Sequence, residues 1–132
     1  MTSFKPLMCA ALLGGMLSSA AVANPANVER VTEGLIAAGM AIELDDNCGD
    51  VRVRMLRGLN FLQGLKNHLQ DLGYSNAEID AYIDNRTEKQ RLETLARQRL
   101  NALGVRSDDP SSYCTVAQAQ IVADTQVGQL LR

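Results

Sequence analysis

Few residues in this chain are of types that do chemistry, and their spacing limits what they can do. Cys48 and Cys114 lie far apart and neither belongs to a CxxC pair, so a redox-active dithiol motif is absent. His68 is the only histidine, with no HExxH or other metal-ligand spacing around it, and it falls beside the apolar stripe of Leu65, Leu69 and Leu72. It reads as a helix-surface or boundary residue and not as a ligand or general base. Glu43, Asp45, Asp46, Asn47 and Asp50 cluster around Cys48. A calcium loop counted from Asp45 needs glycine sixth and glutamate twelfth; those places hold Asp50 and Leu56, so the pattern fails. A looser divalent-ion site at these acids is the alternative to their lying at a helix N-terminus, where negative charge is favourable. Paired carboxylates of a hydrolase are compatible with so many acids, yet the acids fall on helix faces and at caps. No phosphate-binding glycine loop and no GxSxG elbow occurs.

The two cysteines acquire a reading from the start of the chain. Lys5 precedes an apolar run, Leu7–Leu17, and Ala21-Val22-Ala23 supplies small residues for a signal peptidase. Residues 1–23 are therefore expected to be a signal peptide cleaved after Ala23. The run is too short for a stable membrane span, Cys9 lies too early, with most of the run still following it, and so does not suit lipidation, and no arginine pair marks the twin-arginine route. The expected mature part, 24–132, is 109 residues with 12 basic and 15 acidic side chains, a net charge of −3. That mild acidity argues against nucleic acid or an anionic lipid surface as partner, and no membrane span is expected after cleavage. With tryptophan absent and aromatics at 4%, a platform for stacking sugars or bases is not expected either. An exported chain with two remaining cysteines has one intramolecular pairing open to it, so a Cys48–Cys114 disulfide is predicted.

The elements that must hold these residues are helices. Cys48–Gly73 reads as one long amphipathic helix, with Asp50 as N-cap, Gly73 as left-handed stop, and Met55, Leu59, Leu62, Leu65, Leu69 and Leu72 on one buried face. Before it, Asn24-Pro25 opens a first helix reaching about Glu43, with Val28, Val31, Leu35, Ala38 and Ile42 as the buried stripe. Its second half is small-sided (Gly34, Ala37, Ala38, Gly39, Ala41), which suits close approach of a neighbouring helix, or a ligand groove. In Tyr74–Gly104, Ser75 and Glu78 form a capping box. The helix then either continues through the polar stretch Asp84–Arg91 or breaks near Asp84-Asn85, with Thr87 and Gln90 as a second box. Arg86, Lys89, Arg91, Arg97 and Arg99 make this the most basic region, interleaved with Glu88 and Glu93 as a salt-bridged face. Asp109-Pro110 starts a last helix with Val116, Ala119, Ala123, Val127 and Leu130 inward.

The run YCTVAQAQIVADTQVGQLLR, with AEIDAYIDNRTEKQRLETLARQRL before it, resembles an uncharacterised family of small exported alphaproteobacterial proteins. The resemblance implies an exported helical domain with paired cysteines and assigns no catalytic, cofactor or metal-binding residue. The expectation is an all-α domain of four or five helices with one disulfide, preceded by the signal peptide. The function expected is a non-enzymatic periplasmic or secreted interaction protein (accessory, chaperone-like, or an inhibitor or immunity protein) whose partner is another envelope protein. The alternatives are a small-ligand or divalent-metal binder using the Gly/Ala face of the first helix and the acids near Cys48, or a small carboxylate hydrolase.

Overall fold

The computed structural model describes residues 24–132, so the expected signal peptide and its cleavage site lie outside the described residues. Six α-helices follow a short 3-10 turn at Pro25–Asn27: α1 Glu29–Asn47, α2 Met55–Asp71, α3 Asn76–Ile83, α4 Arg86–Leu103, α5 Pro110–Val122 and α6 Gln126–Gln129. Among the described residues there is no β-strand longer than an isolated bridge. The described residues are all-α, with more helices than the four or five expected.

Several local signals act as their chemistry dictates. Ser75 and Glu78 form the capping box of α3. Asp109 accepts from the amide of Ser111 with Pro110 in the first helical position. Gly73 and Gly104 take the left-handed conformation just past α2 and α4 (φ +97° and +112°), a backbone that a Cβ would strain. The polar stretch does break the helix, but Asn85 caps α4 by accepting from the Glu88 amide, in place of the Thr87–Gln90 box.

Three expectations fail. Asp50 caps nothing, because it sits in a turn with Gly49, Val51–Arg54 then runs extended, and α2 begins five residues after Asp50 with Arg54 in the N-cap position. Val51 is buried and Val53 half-buried while Arg52 and Arg54 are exposed, a two-residue alternation that belongs to a strand. This segment pairs with the chain's end: Arg52 and Arg132 exchange both backbone hydrogen bonds at 2.9 Å, and the Arg54 amide donates to the Leu130 carbonyl at 2.8 Å. The first helix is displaced along the chain from the expected Asn24 to about Glu43, since Asn24 caps the 3-10 turn and α1 starts at Glu29 and runs on to Asn47. The last helix is two helices, separated at Asp124, whose φ is +51°. There α6 folds back so closely that a Cβ on Gly128 would overlap the Gln120 carbonyl.

Helix α1 is the axis of the packing. Ile36, Ala37, Met40, Ala41 and Leu44 are buried with Ala96 and Leu100 of α4, Val116 and Ala117 of α5, and Val127, Leu130 and Leu131 at the chain's end. A smaller cluster joins Val31 to Leu65 and Leu69 of α2 and to Ile79 and Tyr82 of α3. The disulfide forms as expected between Cys48 and Cys114, with Cα atoms 5.2 Å apart, tying the end of α1 to α5. Glu33 and Arg99 add a bidentate ion pair from α1 to α4 at 2.5 and 2.7 Å, and Glu43 lies 3.5 Å from Arg97.

Candidate docking groove

Helix α1 carries two apolar faces because it is apolar nearly all round. The face made by Ile36, Ala37, Met40, Ala41 and Leu44 enters the core. The other, with Leu35, Ala38 and Ile42, belongs to the stripe expected to be buried, and its burial stops at Val31. The same holds across the way on α2. Leu65 and Leu69 are buried, but Met55, Leu56, Leu59 and Leu62 are 67%, 78%, 56% and 40% exposed, and Ile42 opposite them is 53% exposed.

The glycines explain the tilt. A Cβ on Gly34 would come within 2.7 Å of Leu65 and 3.2 Å of Phe61, so the C-terminal half of α2 rests directly on α1. A Cβ on Gly39 would lie 3.3 Å from that of Ala96, so α4 approaches closely from the other side. These glycines therefore serve helix packing, as the small-sided sequence suggested. The N-terminal half of α2, ahead of that seat, leaves its apolar face open to solvent.

The result is a trough floored by α1, with α2 on one side and the α3–α4 junction on the other. Two hollows of about 260 Å³ each make it up, and they share Ala38, Ile42 and Leu62. The first runs toward Met55, Leu59 and Asp45; the second runs past Leu35 to Ile83 and Leu92. The floor and the wall each present residues three and four apart over seven positions, roughly 10 Å of helix. That is the relief into which another helix packs its ridges.

The charged groups lining the trough are Asp45, Glu88 and Glu93 against a single base, Lys89. Asp45 accepts from the Val53 amide at 2.8 Å and lies 3.7 Å from Arg52, which pins the extended segment to α1. Glu88 is held below the usual carboxylate range, chiefly by its hydrogen-bonded ion pair with Arg91 at 2.6 Å. Tyr82 donates to Glu88 at 3.2 Å. Its phenol is pushed up to about 12, first by burial and then by the Glu88 carboxylate.

The other sequence candidates lie elsewhere. His68 is half-buried on α2, and among the described residues its ring makes no hydrogen bond. Of the acids near Cys48, Asp46 and Asp50 are exposed and Glu43 and Asp45 are taken up in ion pairs. The Asp50 carboxylate approaches the two cysteine sulfurs, but those are bonded to each other, leaving one free ligand there. A hollow of about 390 Å³ beside Asn24 has two carboxylates in its lining, Glu78 and Glu88. Glu78 is occupied by the capping box and Glu88 by Arg91 and Tyr82; a general acid needs the opposite shift.

Together these features define a small all-helical, disulfide-tied protein with an open apolar trough as its most distinctive surface. The whole of residues 24–132 matches the family of unknown function DUF5333, and the chain belongs to that family. No curated protein and no solved structure matches it. Among the described residues, no helix is long and apolar enough to cross a membrane.

Proposed function

We propose that this is an exported, non-enzymatic interaction protein of the bacterial envelope, and that the trough over α1 seats an amphipathic helix of another envelope protein. The observation that carries this reading is the convergence of Ile42, Met55, Leu59 and Leu62, large apolar side chains left in water on facing helices. Contiguous apolar surface of this kind marks a contact site. Anchors at i, i+3, i+4 and i+7 suit helix-in-groove recognition. The trough is open along its length, whereas a site for a small apolar ligand encloses most of its guest. The engaged state of Glu78 and Glu88 and the lack of partners around His68 support a role without catalysis. Export fits the disulfide, which is at home in an oxidising compartment, and the charge-poor N-terminal run.

The test compares two surface variants of the exported protein for recovery of envelope partners. Leu59→Glu puts a charge in the trough, and Val122→Glu puts one at an 84%-exposed site outside it. Recovery with wild type and Val122→Glu, and its loss with folded Leu59→Glu, is the expected outcome. Equal recovery with both variants overturns the reading.

A further inference from the structure

We infer that, in the free protein, the trough is covered by a second copy of this chain, with α2 of each copy lying in the trough of the other. This rests on the reading of the trough as a seat for a helix, and it names the helix that the chain itself supplies. Helix α2 has the needed shape. Met55, Leu56, Leu59 and Leu62 form an exposed ridge whose ends are seven positions apart, the same length as the Leu35–Ile42 floor.

Charge points the same way. Arg54 and Lys66 stand at either end of the ridge, and neither forms an ion pair among the described residues. The one acid of α2, Asp71, is at its far end. The trough offers the complement: at the Ile42 end Asp45, whose contact with the exposed Arg52 is a loose 3.7 Å, and at the Leu35 end Glu93, which has no ion pair among the described residues, beside the Arg91-paired Glu88.

The direction of the helices makes this complementarity mutual. Gly34 of α1 meets Leu65, while Ala41 and Asp45 lie with Met55 and Leu59, so α1 and α2 are antiparallel. A twofold axis passing beside α2, level with Leu59 on its trough side, sets the partner's α2 antiparallel to α2 and parallel to α1. The partner's Arg54 then lies toward Glu93, and the partner's Lys66 toward Asp45. Both contacts recur by symmetry, as an interface that uses one patch twice requires. Two antiparallel helix pairs stacked in this way form a four-helix layer like that of a bundle, with the exposed leucines inside.

Sedimentation equilibrium on the oxidised 24–132 protein tests this, with a dimer of micromolar dissociation constant expected. Leu59→Glu sets two carboxylates against each other near the axis and is expected to raise that constant by about 100-fold or more. Val122→Glu is expected to leave it unchanged, and circular dichroism confirms that both variants are folded. In dimers mixed from nitrogen-14 and nitrogen-15 chains, carbodiimide is expected to join Lys66 to Asp45 between chains. A monomer throughout the concentration series overturns the inference, as does a dimer that survives Leu59→Glu or a crosslink confined within one chain. A monomer that still loses its envelope partner on Leu59→Glu overturns the self-pairing alone; the docking reading falls only if partner recovery ignores that substitution.

Discussion

Opening the Cys48–Cys114 bridge is the perturbation whose size follows most directly from the architecture. The bridge spans 66 positions of sequence and enters the larger core at Cys48, which is 1% exposed. Closing so long a loop removes unfolded-chain entropy worth about 4 kcal/mol in the chain-entropy model. A chain of this size has a total stability of roughly 5–15 kcal/mol and an unfolding entropy of about 2 cal/mol/K per residue. Dividing the loss by that entropy gives a fall in Tm of roughly 15–20 °C. The local structure adds a reason for the loss to be cooperative. The bridge fixes the end of α1 against α5, and the extended segment after Cys48 carries the backbone pairing with Arg132. Reduction frees that segment and the chain terminus together. The assay is thermal unfolding by circular dichroism with and without a phosphine reductant, with thiol labelling to count opened bridges. Reduction is better than substitution because it leaves both side chains in place. A fully labelled protein whose Tm falls by less than about 5 °C would refute the loop-entropy reasoning.

The glycines separate packing from propensity. Gly128→Ala drives a Cβ into the Gln120 carbonyl and is expected to cost about 2 kcal/mol or more in denaturant unfolding, whereas Gly64→Ala, on an open helix surface, is expected to stabilise by about 0.5–1 kcal/mol. Asn85→Ala removes the cap of α4 and is expected to cost about 1 kcal/mol in the same assay. Tyr82 is protonated in the folded protein up to about 12 against an unfolded value of 10.0, so the folded state holds the proton more tightly. The contribution is complete below pH 10 and is lost as pH rises toward 12, which predicts alkaline destabilisation on the order of 1–2 kcal/mol that Tyr82→Phe removes. Glu88 has the opposite sign. Its depressed pKa favours the fold above the unfolded value of 4.5 and is lost as pH falls through the folded value; partial exposure keeps the effect small, so Glu88→Gln is expected to shift the acid limb of the stability profile only slightly.

Much of this fold was legible because its signals are local. The Ser75–Glu78 box, Asp109-Pro110 and the two left-handed glycines require only their neighbours, and the cysteine pairing had one solution. The misreadings have physical causes. Val51-Arg52-Val53-Arg54 alternates like a strand, but it is only a few residues long and its partner is the chain's own end, eighty residues away by sequence order. The strong leucine period that follows extends a helical pattern back through it. The turn at Asp124 has no proline or glycine to mark it; the nearest signal is Thr125, which caps α6 by accepting from the Gly128 amide. The trough itself was visible and misassigned. The apolar stripes of Leu35, Ala38 and Ile42, and of Met55, Leu59 and Leu62, have the spacing of core faces, yet the structure leaves them at the surface of the trough. Periodicity says which side chains share a face; it does not say whether the same chain covers that face.

Whether a helix covers the trough is measured by site-specific photo-crosslinking in the exporting cell. A photoreactive side chain is placed in turn at Ile42, Leu59 and Leu62, and at the exposed control Val122. The account predicts adducts from the three trough positions and not from Val122. Their crosslinked peptides should map to one amphipathic helix, whether of an envelope protein or of α2 in a second copy. Trough positions that yield no adduct, or adducts no more frequent than those from Val122, would contradict it.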